Sequence, residues 1–228
     1  MSSKFKFNLN YAIGELVIII VGISIAFYIE GWRMQKDREK TEIAILQQLA
    51  VSLDRDISDL ETNARSDAET VRRHDVIINN LEEGGVYNDS LAAYFGRLGY
   101  YTNFINNSSA YENLKSIGID YISNDSLRLA IADYYELHSK YLIEIEKDII
   151  NTQEETVIAP LMMEHFDYSS FFNPAYPNDY RSLQKNSMFK SAIKTTKRLM
   201  EWKIRLTQSC LESAQTLKNV IERELKRR

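Results

Sequence analysis

The chain has 228 residues and a formal charge of −4, from 28 Lys and Arg against 32 Asp and Glu. That acidic balance excludes nucleic acid as the main partner, and a single cysteine, Cys210, excludes an intramolecular disulfide framework. Eight Gly and three Pro are few, which fits long helices with little loop in one modest domain or two closely packed pieces.

Residues Tyr11 to Trp32 read YAIGELVIIIVGISIAFYIEGW. Leu16 to Ile29 carries no charge, and with Tyr11 to Gly14 the apolar segment is about 19 residues, a helix of roughly 28 Å that matches a bilayer's hydrocarbon layer. Tyr11, Tyr28 and Trp32 sit near its ends, where amphipathic rings favour the headgroup layer. A cleavable signal peptide is the rival reading, with Lys4 and Lys6 ahead of the run and Ser24-Ile25-Ala26 as the cleavage site. Glu15 at the front of the run and the apolar residues continuing to Ile29 favour an uncleaved anchor. Glu15 falls in the first helical turn, within reach of headgroups and of the positive end of the helix dipole. Deeper in the bilayer it would instead be a proton site or an interhelical hydrogen bond. Gly22 and Ala26, with Ser24 between them, would let a second span approach and make a homo-oligomer contact. Lys and Arg are more numerous after the span (Arg33, Lys36, Arg38, Lys40) than before it, which by count alone places the body in the cytoplasm.

A long helix is expected over 33–83. With Ile43 as heptad position a, the a column is Ile43, Ala50, Ile57, Ala64, Val71 and Ile78, and the d column is Leu46, Leu53, Leu60, Asp67, His74 and Leu81. Ten of these twelve are apolar, a packed-helix or coiled-coil signal, and Leu49, Ala68 and Ile77 widen the stripe toward an intramolecular bundle. Asp67 and His74 share the d column; they form either a buried polar, pH-sensitive pair or separate bonds to neighbours and water. Gly84 and Gly85 stop the helix.

Asn88 or Asp89 caps a short helix over 89–98, closed by Gly99, and Ser109 with Glu112 has the spacing of a capping box for a second one over 109–117. Asn124 caps a long helix over 124–160, which Pro160 ends or kinks. Residues 161–186 form an aromatic loop. Its core, Phe166 to Tyr180, carries six aromatics with Pro174 and Pro177, fit to cover one end of the bundle or to meet a partner or the bilayer. A last long helix spans 187–228, with Ile193, Leu199, Met200, Leu206, Cys210, Leu217, Val220 and Ile221 on its apolar side. From Lys185 onward twelve Lys or Arg face four Glu, so this helix is expected to dock beside acidic helices such as Asp54 to Glu61. Lys226, Arg227 and Arg228 offer a small anionic-lipid contact.

His74, His138 and His165 show no HExxH or paired ExxH spacing, and no GxSxG, P-loop or GxGxxG occurs. Glu164, His165 and Asp167 are read as solvated rather than metal-binding. No catalytic, cofactor-binding or metal residue is assigned, and the chain is expected not to be an enzyme.

The YAIGE start joined to its span, and the later block SSAYENLKSIGIDYISNDSLRLAIADYYE, resemble an uncharacterised bacterial membrane family, domain-of-unknown-function family 6090. The resemblance covers about a fifth of the chain and marks Tyr11, Gly14, Glu15 and Tyr111 to Tyr135. It implies one N-terminal span, a helical body and no assigned activity. It also implies an inner-membrane protein with its body in the periplasm, although relatives carry a longer basic tail than Lys4 and Lys6.

The expected fold is all-α: a tail and transmembrane anchor over 1–32, then an elongated antiparallel helical bundle over 33–228. The expected role is a non-enzymatic scaffold or interaction subunit of the bacterial envelope, with the lipid bilayer, a second copy and an unidentified protein as partners. A sensory or ligand-binding module is the alternative. A buried polar-lined pocket near Tyr94 to Tyr121 would favour the sensor, and a large exposed apolar patch the scaffold.

Overall fold

The computed structural model of the protein describes residues 9–167 and 173–228, with side chains from Ile13 onward. Lys4, Lys6 and the Tyr168, Phe171 and Phe172 portion of the aromatic stretch lie outside the described residues. Among the described residues the fold is helical, with one two-residue antiparallel strand pair, β1 (Phe166–Asp167) and β2 (Tyr176–Pro177).

Helix α1 runs unbroken from Leu9 to Glu82. It starts as a stretch long and apolar enough to cross a membrane, with a mean hydropathy of 2.1 and none of it buried. The same helix then becomes the spine of the body, because charged residues from Arg33 to Lys40 prolong it without any glycine or proline. Gly84, at φ +69°, takes the left-handed conformation that ends it.

α1 pairs chiefly with the last helix, α6 (Ser187–Lys226), which returns antiparallel and is capped by Asn186 Oδ1 accepting the Phe189 N–H at 3.0 Å. Ion pairs record the register: Lys194 with Glu82, Lys197 with Asp75 at 2.5 Å, Lys203 with Asp67 at 2.7 Å, Lys218 with Asp54 at 2.5 Å and Arg228 with Glu42 at 2.7 Å. Each step up α1 meets a step down α6. The basic surplus of the last helix thus meets the acids of the first.

The buried seam of α1 differs from the sequence frame. The d column, Leu46 to Leu81, is buried throughout, but the a column is only half-buried from Ile43 to Val71. The second buried column is Glu42, Leu49, Asp56, Asn63, Thr70 and Ile77. Glu42, Asp56 and Asn63 occupy that column because they bond neighbouring chain segments, so the apolar repeat marked one buried column and placed the second a residue away.

Between them lie α2 (Asp89–Phe95), α3 (Ser109–Ile117), a 3₁₀ turn (Ile119–Tyr121) and a long helical run, α4, over 125–165. α2 ends at Gly96 rather than Gly99, because the chain passes there from α-helical bonds to tighter turns, Arg97 N–H to the Tyr94 carbonyl and Leu98 N–H to the Phe95 carbonyl, each at 3.1 Å; Gly96 lies against the loop before β2, where a Cβ would come within 1.8 Å of the Asn173 carbonyl oxygen. The Ser109–Glu112 capping box does not form: Ser108 holds the cap position and its side chain makes no capping bond. Asn124 caps α4 as expected, Oδ1 accepting the Leu127 N–H at 3.2 Å. Pro160 does not end α4, which continues through Ala159–His165. Three π-helical segments, Asp133–Ser139, Glu146–Ile150 and Glu154–Ile158, interrupt it, the last of them immediately before the proline. The aromatic stretch is correspondingly shorter as a loop, since β1, β2 and α5 (Tyr180–Lys185) occupy part of 161–186.

The apolar core has two parts. One joins Ile45 to Leu60 of α1 with Cys210 to Ile221 of α6, α3 and the front of α4. The other joins Ile77 to Leu81 with Phe95, Phe166 and Phe189, whose rings pack 4.9–6.4 Å apart.

Candidate functional site: a buried charged layer and the groove beside it

A polar layer separates the two apolar cores. Asn63, Asp67, Thr70 and His74 from α1, Ser139 and Glu146 from α4, and Thr196, Lys203 and Thr207 from α6 are all buried. The side chains of Lys203 and Asp67 have no solvent exposure. Lys203 Nζ lies 2.7 Å from Asp67 Oδ2 and 3.3 Å from Glu146 Oε1, and it donates to the Thr102 carbonyl and, at 3.1 Å, to Thr102 Oγ1.

The layer exists because an extended stretch, Tyr100 to Asn107, threads between α1 and α4 without a sheet partner. Backbone donors buried in this way need acceptors, and carboxylates supply them. The Thr102 N–H donates to Asp67 Oδ1 at 3.1 Å, Phe104 to Glu146 Oε2 at 2.8 Å, Ile105 to Asp59 Oδ2 at 3.1 Å and Asn107 to Asp56 Oδ1 at 2.8 Å. Asn63 Nδ2 donates to the Asn103 carbonyl at 3.1 Å. Lys203 then compensates two of these charges. Burial raises Glu146 and Asp56 above the usual carboxylate range, against the pull of Lys203 on the first and of the Asn107 and Tyr134 donors on the second.

Asp67 and His74 have separate partners. His74 Nδ1 lies 2.7 Å from the Thr70 carbonyl, while Nε2 carries no hydrogen bond. Burial holds the imidazole below its ordinary pKa, with the Thr70 and Leu98 carbonyls opposing. Cys210 is buried, and burial pushes its thiol up to about 12. Near His165, Asn186 Nδ2 lies 2.9 Å from Nε2 and Glu164 Oε1 3.8 Å away. Among the described residues no group of three His, Cys, Asp or Glu is placed to hold a metal ion. Gly22, Ser24 and Ala26 are exposed on α1, and Ser24 Oγ donates to the Ile20 carbonyl at 2.8 Å.

At the end of the body nearest the apolar stretch, Glu42 accepts the Ser123 N–H at 2.8 Å and both terminal nitrogens of Arg228 at 2.7 and 2.8 Å. Arg228 of the basic tail is therefore tied down, while Lys226 and Arg227 stay exposed beside it.

Beside the layer a groove of about 620 Å³ opens between the Phe104–Ser108 stretch, α3 and the first π segment of α4. Its floor holds Phe104, Tyr111, Tyr135 and Ser139, all buried. The extra residue of a π turn rotates the next helical turns by about a quarter turn, as such insertions commonly do at functional positions, and here both Tyr134 and Tyr135 turn inward. Tyr134 Oη donates to Asp56 Oδ2 at 2.7 Å. Tyr135 stacks on Tyr111 with centroids 4.5 Å apart and planes 4° from parallel, yet its hydroxyl has no partner.

Lys203, Glu146 and Asp56 were not singled out from the sequence. Lys203 had one available signal, since it keeps the alternating three- and four-residue spacing of Ile193, Thr196, Met200, Thr207 and Cys210 on α6's buried face.

These features define the class: an all-α protein whose N-terminal apolar helix runs on as the spine of a helical body with a buried charged layer. The chain belongs to a family of unknown function, DUF6090, whose sequence model matches residues 15–156. The match takes in every carboxylate of the layer and stops short of Lys203. No curated protein matches, and no solved structure does.

Proposed function

We propose that the protein is a membrane-anchored, non-enzymatic scaffold or interaction subunit of the bacterial envelope. It sits in the inner membrane with its body on the periplasmic side. The observation that carries this reading is the continuity of α1: exposed and apolar over its first part, buried along one seam over the rest, and unbroken between. A helix of 74 residues is about 110 Å long, so the apolar stretch and the spine of the body are parts of one element. The exposed Gly22 and Ala26 support self-association through the span. A ligand-binding role is the second reading, and the groove beside α4 favours it.

Affinity purification of the full chain from alkaline-washed, solubilised membranes, with cross-linking and quantitative mass spectrometry, tests the proposal. A stoichiometric companion or a cross-linked homo-oligomer is expected. A monomer with no companion would count against it, as would a protein washed off by alkali.

A further inference from the structure

A second groove opens at the end of the body nearest the apolar stretch. α3 descends along α1: Ser109 and Ala110 lie beside residues 44–52 of α1, whereas residues 117–121 lie beside its residues 31–41. By Ser123 the chain has turned back, since the Ser123 N–H donates to Glu42. The 117–121 turn is therefore the part of the described body that reaches furthest toward the span. Arg38 grips it there, donating to the Asp120 carbonyl with its guanidinium 5.4 Å from the centroid of the Tyr121 ring. Between the turn and α1 the groove holds about 760 Å³ of open space, and a Cβ at Gly118 would meet nothing within 4 Å.

Height along α1 and the order of side chains suit one occupant. The uncharged run ends at Ile29, and at roughly 1.5 Å per residue Gly31 to Thr41 covers the interval about 3 to 18 Å beyond it. A bilayer's headgroup layer fills about the first 5–7 Å of that interval. Trp32 and Met34 stand at that level, and both are exposed, at 62% and 64%. Ile117, 40% exposed, lines the facing wall where α3 ends. Arg38 stands a turn above Met34, and because helix side chains lean toward the N-terminus it leaves α1 toward the bilayer. Apolar Met34 below and charged Arg38 above repeat the order of a phospholipid, from the acyl–glycerol boundary to the phosphate.

We propose that the 117–121 turn is a second seat on the bilayer, resting on the headgroup layer, and that phospholipid headgroups of the membrane holding the anchor fill the groove. Ile117 and Met34 lie toward the acyl–glycerol boundary and Arg38 at the level of the phosphates. Such a seat rests on the proposed anchoring of α1 and adds to it a contact from the folded body. A brace beside α1 restricts the tilt of the body, which a single span leaves free.

Quenching of a bimane fluorophore by spin-labelled phosphatidylcholine, on the full chain in lipid nanodiscs, tests it. In a Cys210→Ala background, single labels are attached through Ser24→Cys in the span, Ile117→Cys at the seat and Val86→Cys just past the far end of α1, all exposed positions. Glu82, where α1 ends, is about 80 Å beyond Ile29, so the label at 86 gives the background. Because only the seat lies at the headgroup layer, headgroup-labelled lipid is expected to quench at 117 about three times as strongly as at 86, or more. Lipid labelled on its acyl chain is expected to quench most at 24. Equal quenching at 117 and 86, with 24 quenched, would overturn the seat and leave the anchor standing; loss of quenching at 24 as well would overturn both. A label at 117 shielded from lipid and from aqueous iodide alike would mean that protein covers the groove, which also overturns the assignment.

Discussion

Lys203→Met is the most informative perturbation of the buried layer. Methionine keeps an unbranched side chain of similar length, so packing against α1 and α4 survives. The charge does not, and Asp67 and Glu146 are left facing one another in a layer where Lys203 and Asp67 have no exposure. Removing one partner of such a buried pair costs about 3–5 kcal/mol, or roughly two to three and a half powers of ten in the folding equilibrium. Chemical unfolding of the purified chain, followed by circular dichroism, measures it. The triple variant Lys203→Met/Asp67→Asn/Glu146→Gln removes all three charges and keeps oxygens to accept the Thr102 and Phe104 N–H groups. It is expected to recover more than half of the loss. The sign of the pH dependence comes from the same burial. Glu146 is raised in the folded state, so the native protein binds its proton more readily than the unfolded chain does. The Lys203→Met deficit should therefore shrink as pH falls through that raised value and return as pH rises. A single-variant cost under about 1 kcal/mol, the range of an exposed pair, would refute the reasoning. So would a triple variant no more stable than the single one.

Cys210, buried with its thiol pushed up to about 12, should resist maleimide at neutral pH in the folded chain and react at once in denaturant; equal rates would place it at the surface. His74 is held neutral by burial, so as pH falls below the unfolded value of about 6.5 the unfolded chain gains a proton first and stability drops by at most about 1.4 kcal/mol per pH unit. His74→Leu should flatten the stability profile between neutral and mildly acidic pH, and an unchanged slope would show that another group titrates. Gly96→Ala forces a methyl to within 1.8 Å of the Asn173 carbonyl oxygen and should cost about 1–3 kcal/mol in a thermal melt. Gly118→Ala, at φ +109° but with open space around it, should cost about 1–3 kcal/mol through backbone strain alone.

The helices were legible because their signals are local. Asn124 caps as a short polar side chain does, and the apolar repeats of α1 and α6 mark each helix without knowledge of the partner. The docking of the two was legible too, since a basic last helix needs an acidic neighbour. The second buried column of α1 was not. Asp56 and Asn63 look like solvent-facing residues until the Tyr100–Asn107 stretch is placed against them, and that stretch has no periodicity of its own. The inward turn of Tyr135 was equally hidden, because a π insertion leaves no mark in composition, and the groove depends on it. Pro160 does not end the helix for a related reason: its cost in a helix interior is a lost hydrogen bond and a clash with the preceding turn, and a π segment immediately before it changes that turn.

One helix carries both the apolar stretch and the spine of the body, and the proposed anchoring rests on that continuity. Spin labels at Glu30 and Arg55, both exposed on α1, in the full chain reconstituted in lipid nanodiscs test it directly by dipolar spectroscopy. Their separation along an unbroken helix is about 37 Å at roughly 1.5 Å per residue, and a single narrow distribution near that distance is predicted. A broad distribution, or a maximum below about 30 Å, would mean a hinge between membrane and body and would contradict the continuous α1.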